Sequence, residues 1–171
     1  MKKILVFVLT ALFLIAAENN ATGKKVDTNV TKINTAPKNI DPVYGLDVTK
    51  HPKFQAKIVL ANGKEILFCC PKAMFDLYFR PFNFPEYNIK EEKDFKQLLV
   101  KDYISGQWID AKKALYVFGS RLQGPKGDDL IPVRNKDVLN VYMLKYGGSR
   151  VLTFPDIKKR GFGLIKFLDM P

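Results

Sequence analysis

The chain has one histidine, one tryptophan and two cysteines among 171 residues, and each scarcity removes a class of chemistry. With His51 alone and no close His/Asp/Ser grouping, a hydrolytic triad has no basis. Zinc catalysis, which wants three protein ligands beside an open position, lacks the ligands. There is no phosphate-cradling loop and no dinucleotide fingerprint, so no enzymatic activity is expected. In an oxidising compartment two free cysteines usually end up paired, which leaves thiol redox possible. Placed side by side as Cys69 and Cys70, however, they differ from the C-x-x-C pair of thiol oxidoreductases, because a bridge between neighbours closes a strained ring. Thiol redox therefore stands behind the other readings.

Long apolar runs are missing too, apart from the first residues, MKKILVFVLTALFLIAA. Two lysines, a short apolar stretch and small residues ending at Ala17 read as a secretory signal peptide, too short for a comfortable membrane span. No cysteine follows to accept a lipid anchor. The expected mature protein is periplasmic and soluble, and the expected division is a leader over 1–17, a flexible tether over 18–40 and one domain over 41–171.

Acidic residues are outnumbered, 17 against 28 Lys and Arg, for a formal charge of +11. Such a surface favours anionic partners. The secretory leader argues against nucleic acid and leaves an acidic protein, peripheral contact with an anionic membrane surface, or plain solubility. The tether is rich in Asn, Thr and Lys and poor in large apolar residues, so it cannot bury enough surface to offset ordering. It holds two N-x-T sequons, at Asn20 and Asn29, each with an acidic residue two places earlier.

Folding is expected to begin near Pro42. The stretch FQAKIVLANGKEILFCC is two β-rich runs around Asn62-Gly63, a strong hairpin signal. A two-residue turn pairs Ile58 with Leu67 and Ala56 with Cys69, which puts Ala56, Ile58, Leu60, Leu67 and Cys69 on one apolar face and Cys70 on the other. In strand geometry the two cysteines cannot grip one ion together. Pro71 then suits the first position of a helix, PKAMFDLYF, with Cys70 as its N-cap. The positive end of that helix is expected to favour a Cys70 thiolate, with Met74 one turn further on as a second soft group.

Downstream, the end of EEKDFKQLLVKDY reads as a strand, ALYVF and LIPV as two more, and NKDVLNVYMLKYGG as a helix started by Asn135 or Asp137 and ended by Gly147-Gly148. Val138, Leu139, Val141, Tyr142 and Leu144 give that helix its core face. SRVLTFPDI makes a last strand, and a basic amphipathic tail covers 159–171. Strand, strand, helix, strand thus occurs twice, an α+β chain of two tandem ββαβ modules in one domain, about 41–104 and 105–158.

The stretch WIDAKKALYVFGS, followed by GPKGDDLIP and LTFPDI, resembles the C-terminal half of the NosL family, secreted accessory proteins for nitrous oxide reductase. Asp110, Ala111, Ala114, Tyr116, Val117, Gly119 and Ser120 match its D-A-x-x-A-x-Y-V-x-G-S pattern, and the resemblance runs from about Pro42 to Ile157. It implies two ββαβ modules, a role like that of a Cu(I) chaperone, and partners among a copper-containing reductase and its assembly factors. The departures fall on the family's metal-binding positions. Tyr44-Gly45-Leu46 stands where the family has Cys-Gly-Met, and Gly124-Pro125-Lys126-Gly127-Asp128 where it has Gly-Pro-Met-Gly and a further residue often able to bind metal. Cu(I) prefers thiolate and thioether ligands, so a relocated site would draw on Cys69, Cys70, Met74 and His51. The alternative is a metal-free accessory protein that binds its partner through its basic surface and the aromatic loop RPFNFPEYN.

Overall fold

The computed structural model describes residues 39–170; the leader, Asn20, Asn29 and most of the tether lie outside the described residues. Two antiparallel sheets share one core. The first has the order β2-β1-β3-β4, built from β1 (Ala56–Leu60), β2 (Glu65–Phe68), β3 (Phe95–Lys101) and β4 (Trp108–Asp110), with α1 (Pro71–Phe79) between β2 and β3. The second has the order β6-β5-β7, from β5 (Leu115–Phe118), β6 (Ile131–Val133) and β7 (Arg150–Thr153), with α2 (Lys136–Tyr146) between β6 and β7. Two ββαβ modules result, each with its first strand in the middle. β4 extends the first sheet by pairing with β3. The expected last strand stops at Thr153: its FPDI end is the start of α3 (Phe154–Arg160), because Thr153 and Asp156 form a capping box and proline sits in the first turn, and α4 (Phe162–Leu168) takes the place of the expected basic tail. No described helix is long and apolar enough to cross a membrane.

The β1–β2 hairpin forms, in a register one residue away from the expected one. Ile58 faces Ile66 and Ala56 faces Phe68. The Leu60 amide donates to the carbonyl of Lys64 at 2.9 Å, so Ala61-Asn62-Gly63 make a three-residue loop. The cause is local: Gly63 takes the left-handed conformation at φ 84°, whereas Asn62 does not, and a two-residue type I′ turn requires both. A one-residue slip exchanges the faces of β2. Ile66 and Phe68 are therefore buried and Leu67 only partly so. β2 ends at Phe68, which leaves Cys69 and Cys70 in the bend before α1.

α1 joins the two modules. Its Phe75 ring meets Tyr116 of β5 edge-on at 5.5 Å and Phe154 of α3 at 6.0 Å. The motif around Tyr116 is architectural. The buried Tyr116 hydroxyl donates to the carbonyl of Ala111 at 2.7 Å, Asp110 accepts the Lys112 amide in the intervening turn, and Ser120 Oγ accepts the Tyr142 hydroxyl at 2.9 Å. At Gly119, φ is 66° and a Cβ would collide with Ser149, so both the angle and the space require glycine.

α2 covers the other face of the second sheet. Asn135 caps it by accepting the Val138 amide, as expected. Its core face is Val138 and Tyr142, backed by Leu139, Met143 and Tyr146. Val141 and Leu144, assigned to that face from the sequence, are 56% and 88% exposed, because the helix turns its aromatic stripe toward Tyr103.

Candidate functional site

The bend that carries Cys69 and Cys70 is fixed by two carboxylates. Asp41, itself buried, accepts the amides of Val43 and Tyr44 on Oδ1, and the amide of Cys69 on Oδ2, all at 2.7 Å. That ties the 41–45 turn to the end of β2. Cys70 is the N-cap of α1 with extended backbone, but its thiol makes no capping bond. The cap comes from the second module: Asp129 Oδ1 accepts the amides of Lys72 at 2.9 Å and Leu130 at 2.8 Å. Among the described residues Asp129 Oδ2 has no hydrogen-bond partner, and a Cβ at Gly124 would stand 2.6 Å from it. Burial pushes the Asp129 carboxyl up to about 6, with Cys70, the two amides and Lys72 pulling the other way.

Above this, the fully buried Lys72 ammonium is held by three acceptors. Nζ donates to the carbonyls of Lys126 at 2.8 Å and Leu168 at 3.2 Å, and pairs with Asp169 Oδ1 at 2.9 Å. The Tyr44 hydroxyl donates to the same carboxylate at 3.0 Å. Lys72 and Lys126 each place Nζ 5.7 Å from the Tyr44 ring centroid. Burial and the bond to Asp169 push the Tyr44 phenol far above its ordinary value. Three distant segments, 41–46, 124–129 and 168–169, therefore converge over the start of α1.

The sequence expectations for the ligands divide. The strand ends one residue earlier than expected, so the bend brings the thiols of Cys69 and Cys70 together, 3.7 Å apart. Both are free and fully buried. The expected thiolate is not favoured: burial drives the Cys70 thiol well up, reinforced by the Cys69 thiol and by Asp129, and this outweighs the helix N-terminus. Met74 lies one turn along α1, buried, with its amide donating to the Cys70 carbonyl at 3.3 Å. His51 ends the 3-10 turn Val48–Lys50 and is not brought to the pair. Among the described residues, no three His, Cys, Asp or Glu side chains are arranged to hold one ion.

Sequence reasoning missed Asp41, Lys72, Asp129 and Asp169. A signal existed for Lys72, a lysine at the second position of a short helix whose only other charged residue is Asp76. For the carboxylates the local bonds of Asp41 to Val43 and Tyr44 and of Asp129 to Leu130 mark turns only, and the bonds that build the cluster span 28 to 125 residues.

No curated protein matches the chain. The crystal structure of the copper chaperone NosL from Shewanella denitrificans is similar with a TM-score of 0.58 and 19% identity, over 70% of this chain and 90% of that one. The solution structure of the apo-NosL protein from Achromobacter cycloclastes is 22% identical over 60% of this chain and 83% of that one, with a TM-score of 0.36. The NosL family itself matches residues 32–161, from the tether through both modules to the end of α3, and leaves α4 and Asp169 beyond it. By that match, and by a fold of two ββαβ modules, the chain belongs to the NosL family.

Proposed function

We propose that this protein is a periplasmic accessory protein, not an enzyme, that takes up Cu(I) at Cys69 and Cys70 and passes it on in the maturation of a copper enzyme such as nitrous oxide reductase. The recipient is the enzyme or one of its assembly factors. The observation that carries the reading is the pair of free thiols held 3.7 Å apart in the bend between β2 and α1 of the first module. Cu(I) is soft and accepts a donor set of two thiolates, so the pair fits the cargo, with the Met74 thioether as the next soft group. Uptake requires the site to open, since neither thiol is exposed.

An anaerobic Cu(I) titration against a competing chelator tests this, using the reduced protein beside Cys69→Ser, Cys70→Ser and Met74→Leu. Stoichiometric binding lost in either serine variant and weakened in Met74→Leu is the expected result. Failure to compete with the chelator would sink the reading.

One observation favours a second reading, a metal-free accessory protein. The segments that resemble the family's two soft-ligand stretches meet around Tyr44 and Lys126, and the cation between them is the ammonium of Lys72. A protein with no measurable Cu(I) affinity that still supports maturation of the copper enzyme would select it.

A further inference from the structure

A groove on the far side of α4 is independent of the thiols. Across the β5–β7 ladder, Phe118 faces Arg150 and Tyr116 faces Leu152, so these four side chains share the face of the second sheet that looks toward α4. At Gly161, φ is 58°, which breaks the helical run between α3 and α4 and redirects the chain. α4 then covers this face incompletely. Phe167 reaches Phe118 edge-on at 5.9 Å, yet remains about half exposed. Between them lies a cavity of about 420 Å³ with a floor of Phe118, Leu152, Leu164 and Phe167, and with Arg150 and Arg160 at its rim.

Two features give this groove the character of a binding site. Gly163 of α4 lines it from an exposed position where a Cβ would meet nothing within 4 Å, so no side chain from that position covers the groove. Both rim guanidiniums are exposed, and neither has a carboxylate within salt-bridge distance among the described residues. A mostly apolar concavity of this size with a few convergent polar groups is the usual form of a small-molecule site. The polar groups here are of one sign, and guanidinium suits the planar fork of a carboxylate.

We infer that the groove binds a small anionic amphiphile, an apolar chain or ring ending in a carboxylate, taken as a free molecule. The apolar part lies on the four-residue floor and the carboxylate between Arg150 and Arg160.

Isothermal titration of the full-length protein with dodecanoate, below its micellar concentration, tests this beside dodecyltrimethylammonium, which has the same chain and the opposite charge. A single saturable site for dodecanoate is expected, absent for the cation. Arg150→Gln and Arg160→Gln should each weaken it by about tenfold, the loss of one charge-assisted pair. Gly163→Leu should abolish it while leaving the melting temperature unchanged or raised, because the new side chain fills the groove without displacing anything. Overturning results are absence of saturable binding, equal binding of the cation, or binding that survives Gly163→Leu. Retention only on phosphatidylglycerol vesicles, with no affinity for monomeric dodecanoate, would also overturn it and assign the arginines to a lipid surface.

Discussion

Replacing Asp169 by Asn removes the only carboxylate that, among the described residues, pairs with the fully buried Lys72 ammonium. The Lys72 side chain has no water to fall back on, and its other acceptors are two backbone carbonyls. Breaking a pair buried on both sides costs about 3–5 kcal/mol. Asp169 is 38% exposed, so part of its field is screened, and an Asn carbonyl still accepts from Lys72 or Tyr44. The expected loss is accordingly smaller, about 2 kcal/mol. Urea unfolding at pH 7 measures it, with Lys72→Met and the double variant completing a cycle. Lys72→Met should be less damaging in the Asp169→Asn background, with a coupling of about 1 kcal/mol or more. A thiol reagent supplies a second readout, since loosening residues 168–169 should speed the modification of Cys70. An Asp169→Asn protein as stable as the parent, with no coupling and unchanged thiol reactivity, would refute the claim that the end of the chain locks the cluster.

The buried Asp129 carboxyl, at about 6 in the fold against 3.8 as its ordinary value, binds its proton more tightly folded than unfolded. Stability should therefore fall as pH rises between those values, and Asp129→Asn should gain on the parent by about 3 kcal/mol from pH 3.5 to 7; a pH-independent difference in urea unfolding would contradict the assignment. Gly124→Ala places a methyl group 2.6 Å from Asp129 Oδ2 and 2.9 Å from its Cβ, so it should cost about 1–3 kcal/mol in the same assay. A neutral effect would show that the 124–129 loop packs more loosely than the structure has it.

Local signals were read well where local chemistry decides. Proline at the first turn and an extended Cys70 begin α1, Asn135 caps α2, and the recurrence of strand, strand, helix, strand appears as two modules of matching strand order. The hairpin was legible as an element but not in register, because register turned on whether one residue, Asn62, entered the left-handed region. The face of α2 went wrong at Val141 and Leu144 because several faces of that helix carry apolar residues, and contact with Tyr103 selects among them. At Cys70, the helix N-terminus was visible in the sequence and the burial that overrides it was not. The charged cluster is assembled from segments that nothing in their immediate surroundings marks as neighbours.

The cap that Asp129 places on α1 also makes the shielding of the thiols a joint property of both modules. α1 and the two cysteines belong to the first module, whereas Lys72, just after them, takes its partners from Asp129, 57 residues on, and Leu168, 96 residues on. The first module by itself lacks the groups that close over the start of α1. A change in the second module or after α4 that loosens those groups therefore reaches the cysteines without touching them.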